Sequence, residues 1–278
     1  MNIEYKTLYI KHESGNIGHY FNDHLYSSIG YYLMNKKEIK NIYVEITDNF
    51  NIDFKNTINE CIKNKTFLSK SSKSTLNLNM ILLFFYDENI NIIVDCINNN
   101  NYNFIDIIKI ESDRFLDKFN FMEVFDKLNK NYKSYIKNNN LILDRVDVTI
   151  LYRNNNVNSE RNIYNIDELE KHFIYNNISY KLFDTSKFFD FFEIINLFHF
   201  SDNIIAFHGC ELTYGIFMDK NAKIIELTNI GHLESWWNQM QNKFIKFGLK
   251  YSRLEVPTIN KNLYLDDAIC ENIINSLT

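Results

Sequence analysis

The chain has 278 residues, 45% hydrophobic and 23% charged, with a formal net charge of −5, seven glycines and one proline. A chain of this size buries a core without disulfide staples, and at ~150 residues per domain about two domains are expected. The composition excludes collagen, Pro/Gly-rich disorder and disulfide scaffolds, and the acidic balance argues against a nucleic-acid binder that relies on a general basic field.

Short apolar runs alternate with amphipathic segments along the first half. Residues 7–11 read as a strand, and residues 20–33 as a helix with Phe21, Leu25, Ile29 and Leu33 at helical spacing. A strand is expected over 42–47, then a helix lined by Phe54, Ile58 and Ile62. Residues 69–79 read as a polar loop and 80–86 as a dense apolar strand. Weaker strands follow over 91–94 and 104–110. Phe121, Val124, Phe125, Leu128, Tyr132 and Tyr135 mark a long helix, and the Asn-rich stop at 137–140 is the expected domain boundary.

The second half repeats the pattern. Strands are expected over 146–152, 180–183, 204–207 and 223–227. Helices are expected through Phe173, over 188–198, from 212–218, over 233–247 with a stop at Gly248, and over 265–277. Asn165 and Glu168 have the spacing of a capping box. Two β/α halves of similar size imply two Rossmann-like, doubly wound α/β domains facing a central cleft. The expected divisions are 1–140, 141–257, and a C-terminal helix over 258–278 that packs back on the N-terminal domain.

Asparagine makes up roughly one residue in six or seven, far above ordinary usage. Asn, Ile, Lys, Tyr and Phe have A/T-rich codons, so the bias reads as that of a large DNA virus or an AT-rich microbe. Glycine and proline are then retained against the bias. Cys61, Cys96, Cys210 and Cys270 form no CxxC pair, so zinc-finger and thioredoxin-like sites are not expected. The first eleven residues lack the apolar run of a signal peptide. No apolar run approaches the ~18 residues of a membrane span. A cytoplasmic protein is expected, in the host cytoplasm if viral.

Three turns carry the candidate chemistry. The strand over 204–207 runs into His208-Gly209, and Cys210, Glu211, Leu212 and Thr213 open a helix. Ligands of open α/β sheets lie at the carboxyl ends of strands, where helix N–H groups can hold a phosphate. Glu226 interrupts an apolar strand, where an unpaired carboxylate is costly. A sugar diol would suit it, as would a local lysine. Arg153 ends another strand, with Arg161 beyond it. Arginine holds a diphosphate through forked hydrogen bonds, although surface ion pairs would equally account for both. In the first half, Gly15, Asn16 and Gly18 follow a strand, and His19 and Asp23 share one helical face. Such a pair can take the proton of an acceptor hydroxyl, or form a structural hydrogen bond. No set of metal ligands is apparent around them.

These motifs fall in the order seen in glycosyltransferase family 61. Gly15-Asn16 stands with His19 and Asp23. Tyr152-Arg153 is followed by Arg161 and Asn165-x-x-Glu168-Leu169. His208-Gly209-x-x-Leu212-Thr213 stands with Phe217-Met218, then Ile225-Glu226-Leu227. The chain resembles that family over about residues 13–228, and the family is similar to protein O-linked N-acetylglucosaminyl- and xylosyltransferases. The resemblance implies a GT-B fold and an inverting, metal-independent transfer without a cofactor. The donor would be a nucleotide sugar, UDP-linked, and the acceptor a glycan or protein hydroxyl. It places Arg153 and residues 208–213 on the diphosphate, and Glu226 near the nucleoside or sugar. Where the family reads His-Gly-Ala-Gly-Leu-Thr-Asn, this chain has Cys210, Glu211 and Tyr214 in place of Ala, Gly and Asn. Glu211 brings a negative charge to the expected phosphates. A polysaccharide pyruvyltransferase-like enzyme and a non-catalytic sugar- or nucleotide-binding protein are the alternative readings.

Overall fold

The computed structural model describes residues 6–12, 25–46, 52–69, 73–96, 107–109, 121–141, 144–153, 162–187, 190–229, 237–259 and 262–277. The chain divides into two compact units, Met1–Asn140 and Leu141–Thr278. Each is a mixed α/β unit built on a parallel sheet. Among the described residues, no helix is long and apolar enough to cross a membrane.

In the first unit, strands β1 (Lys6–His12), β2 (Ile39–Ile46), β3 (Asn91–Cys96) and β4 (Ile107–Lys109) form a parallel sheet of order β3-β2-β1-β4. Its helices are α1 (Tyr26–Asn35), α2 (Ile52–Asn64), α3 (Lys73–Phe84) and α4 (Phe121–Asn138). Leu8, Ile10, Ile42 and Val44 of the sheet are buried, as are Ile29, Phe84, Phe125 and Tyr132 of the helices.

The strand expected over 80–86 is instead the second half of α3, and part of the expected loop before it is the first half. Leu78 and residues 80–84 are all buried. A run apolar on every side has no period to separate strand from helix. Asparagines fix the helix in place. The Asn79 side chain accepts from the Leu68 N–H and donates to the Leu68 carbonyl, both at 2.9 Å. Asn131 of α4 donates to the Leu83 and Phe84 carbonyls at the end of α3, where helix carbonyls run out of intrahelical partners; Leu83 also accepts from the Tyr86 N–H at 3.3 Å.

In the second unit, β5 (Val146–Tyr152), β6 (Tyr180–Asp184), β7 (Ser201–Phe207), β8 (Lys223–Asn229) and β9 (Lys250–Val256) form a parallel sheet of order β6-β5-β7-β8-β9. The order reverses between β5 and β7, as in doubly wound folds. Successive side chains alternate between faces. Val148, Ile150, Ile205, Ile225, Leu227 and Val256 form one buried face, with Leu169 and Phe173 of α5 (Ile166–Tyr175) and Cys270 and Ile273 of α8 (Asp267–Ser276). The C-terminal helix thus contributes Cys270 and Ile273 to the core of the second unit. The alternate residues face α6 (Phe191–His199), a 3₁₀ segment (Cys210–Phe217) and α7 (Trp237–Phe247). There Phe244 stacks on Tyr251, and Gly215 lies under Ile224 and Phe244 so closely that a Cβ would fall 2.7 Å from Ile224 Cδ1.

Three local features depart from the expectations. The element opening at Cys210 is a 3₁₀ helix rather than an α-helix. Strand β9 was not anticipated. Asn165 precedes α5 but makes no side-chain cap. Its amide instead donates to the Leu265 carbonyl at 2.6 Å and accepts from the Leu265 N–H at 2.9 Å, tying the approach to α8 to the start of α5. A complete capping box forms at Asp190 and Glu193, at the head of α6.

Candidate functional site

The site is built at the carboxyl edge of the second sheet. Strand β5 ends at Tyr152, and Arg153 follows; β7 ends at Phe207, and His208-Gly209 follow. The two strands are adjacent and parallel, with Leu151 opposite Ala206. Arg153 and His208 therefore leave the sheet side by side, where the strand order reverses. Open α/β sheets bind ligands at this position. Arg153, His208, Glu211, Thr185, Tyr152 and Phe207 help to line a recess of about 20 Å³.

His208 is buried. Its backbone N–H donates to the Leu227 carbonyl at 2.9 Å, and its Nδ1 donates to Glu226 Oε1. Glu226 is 0% exposed. Its Oε2 accepts from the Tyr251 hydroxyl at 2.9 Å and from Arg253 Nε at 2.7 Å. The β8–β9 register places Arg253 opposite Glu226. Burial raises the Glu226 pKa, but the hydrogen bonds and charges of His208 and Arg253 outweigh it and hold the carboxyl below its ordinary value. Glu226 is thus a buried anion bound by three side chains. Its two oxygens are enclosed and accept three hydrogen bonds from side chains of the second unit. It acts on this edge by positioning His208 and Arg253.

Arg153 pairs with Glu211, Nη2 to Oε1 at 3.1 Å, with the two side chains 27% and 18% exposed. Glu211 is the second residue of the 3₁₀ segment, so the pair joins the end of β5 to the turn after β7. Gly209 has extended backbone, a conformation open to any residue. The Leu212 N–H donates to the Gly209 carbonyl at 3.3 Å. Leu212 and Thr213 are 0% exposed. Cys210 contributes the first backbone of the 3₁₀ segment.

The structure thus brings Arg153, His208, Glu211 and Glu226 to one edge. The first-half candidates Gly15, Asn16, Gly18, His19 and Asp23, and Arg161 of the second half, lie outside the described residues. Among the described residues, no three His, Cys, Asp or Glu side chains converge as a metal site. Tyr251 and Arg253 are the members that sequence reasoning missed. Their signal was alternation within residues 250–256, bounded by Gly248 and Pro257.

Among solved structures, the chain is similar to the flavodoxin-like domain of a Synechococcus sp. protein, at 15% identity over 47% of this chain and 93% of that one, with a TM-score of 0.33. No curated protein matches it. The family model for glycosyltransferase 61 matches residues 3–225. This span takes in both sheets as far as β8 and contains Arg153, His208 and Glu211. Over most of its length, the chain belongs to the glycosyltransferase 61 family.

Proposed function

We propose that the protein transfers a sugar from a nucleotide-sugar donor, UDP-linked, to a hydroxyl on a glycan or protein, with inversion and without a metal or cofactor. The supporting observation is the placement of Arg153 and His208 at the order reversal of a parallel sheet, in a chain of this family. The architecture proposed is GT-B, with the donor on the second unit and the acceptor side on the first.

Arg153, aided by Arg161 and by the backbone N–H groups that open the 3₁₀ segment, stabilises the charge that grows on the leaving diphosphate. Asp23, or His19 oriented by it, takes the acceptor proton. The acceptor oxygen bonds to the anomeric carbon as the bond to the diphosphate oxygen breaks, and the diphosphate leaves with the electron pair. One displacement inverts the centre.

A thermal-shift screen against UDP-, GDP-, dTDP- and CMP-sugars tests the donor, since a ligand that binds only the folded state raises its stability. UDP-sugars are expected to stabilise the protein. Asp23→Asn is expected to lower turnover with donor binding little changed. Wild-type turnover in both Asp23→Asn and Arg153→Ala would sink the assignment.

A second reading, a non-catalytic protein that binds nucleotide sugars, is favoured by one observation: the Arg153 guanidinium already carries a carboxylate partner. Donor binding without transfer or hydrolysis across a broad acceptor panel would support it.

A further inference from the structure

We infer that Glu211 is a specificity-determining residue of the donor site: its carboxylate holds the place on Arg153 that a donor phosphate takes, so diphosphate binding exchanges one anion for another. This rests on the donor reading above.

The ion pair spans the position where a doubly wound sheet receives its ligand. Arg153 comes from the end of β5 and Glu211 from the turn after β7, and these neighbouring strands flank the order reversal. Arg153 is the arginine or lysine among the residues that line the recess. The recess measures about 20 Å³, enough for roughly one water molecule. Glu211 holds Nη2 of the guanidinium, so a phosphate that takes that position displaces the carboxylate.

The other arginine on this sheet face does not substitute for it. Arg253 is bound to Glu226, which is fully buried and also holds His208 and Tyr251. Each arginine is thus matched by one carboxylate, and the two pairs carry no net charge between them. Among the described residues, an incoming diphosphate meets paired arginines at this edge rather than an open cation. The Glu211 side chain is 18% exposed, so it has an outlet toward solvent. The exchange weakens binding in proportion to how far a ligand relies on its phosphates. A donor for this site gains its affinity through its nucleoside and sugar, and bare pyrophosphate is a poor ligand.

Isothermal titration of the full chain tests this with inorganic pyrophosphate, with UDP, GDP, dTDP and CDP, and with the matching nucleosides as uncharged controls. The proteins are the wild type, Glu211→Gln and Glu211→Ala, each first shown by urea unfolding to be folded. Removing the carboxylate is expected to tighten pyrophosphate and the cognate nucleoside diphosphate by about tenfold or more, the scale of a charged hydrogen bond. Nucleoside binding is expected to stay within about twofold, because it makes no phosphate contact. If a nucleoside diphosphate binds the wild type and binds both variants no more tightly, the inference falls and the donor reading stands. If none of these ligands binds any of the three proteins, the donor reading falls and takes the inference with it.

Discussion

His208, at the end of β7, donates to Glu226 in the middle of β8, and Arg253 of β9 closes on the same carboxylate at 2.7 Å. Three adjacent strands are thereby joined through one buried anion. The arrangement is stable because each oxygen of the carboxylate accepts a hydrogen bond and the Arg253 guanidinium lies beside it. Breaking a buried pair from one side is far costlier than never having built it. Glu226→Gln keeps the shape but leaves Arg253 without its counter-charge and His208 without its anionic acceptor. It is expected to cost about 3–5 kcal/mol, read as a fall in the urea midpoint of the full chain. A loss below about 1 kcal/mol would show that the network is worth no more than a surface pair.

The same carboxylate sets a pH dependence. Burial raises its pKa, and His208 and Arg253 more than compensate, so the folded value lies below the ordinary 4.5. A group with a depressed folded pKa binds its proton more readily when unfolded. Its stabilisation is fully present above the unfolded value and is lost as pH falls through the folded one. Stability from this group is therefore expected to be level from neutral pH down to about 5, and to decline below about 4.5. Unfolding curves across that range should show the decline in the wild type and a smaller one in Glu226→Gln. Equal slopes would place the titration elsewhere.

Much of this edge was legible in the sequence, because the signals are local. Apolar strands that end in Arg153 and in His208-Gly209 mark the carboxyl ends of parallel strands without any knowledge of neighbours. A lone Glu226 within an apolar strand announces a buried partner. The identity of that partner was not legible, since Tyr251 and Arg253 are supplied by a strand 25 and more residues away, through sheet pairing. Residues 80–86 failed for a different reason: with apolar residues on every side, helix and strand have the same pattern. Asn165 failed because a short polar side chain before a helix has two uses, and its real partner lies 100 residues on.

Asn165 offers a clean separation of those two uses. As an N-cap, Asp would serve as well as Asn. As a tie to Leu265 it would not, because the amide both donates to the Leu265 carbonyl and accepts from the Leu265 N–H. Asp has no N–H to give and sets oxygen against oxygen. Asn165→Asp is therefore expected to destabilise the second unit by about 1–3 kcal/mol, and Asn165→Ala by a similar amount. Amide exchange should rise first in α8, whose Cys270 and Ile273 belong to the core that this tie holds shut. An Asn165→Asp variant as stable as the wild type would return the residue to a capping role.

Arg153 and Glu211 make a final, quantitative test, because the two act on a phosphate with opposite signs. Arg153→Ala removes the guanidinium and also leaves the Glu211 carboxylate facing the ligand alone. Both effects weaken donor binding, and together they are expected to lower affinity about 100-fold. The product of the single effects, about 100-fold weaker for Arg153→Ala and about tenfold tighter for Glu211→Ala, is about a tenfold loss. Each single variant already removes the cost of parting the pair, which Arg153→Ala/Glu211→Ala removes only once. The double variant is therefore expected to bind more weakly than that product. Non-additivity of this sign follows only if the two side chains compete for, or jointly shape, one anion position. Isothermal titration of the cognate nucleoside diphosphate completes the cycle. If the double variant binds as weakly as the product of the two single effects predicts, Arg153 and Glu211 form an ordinary surface pair beside the site.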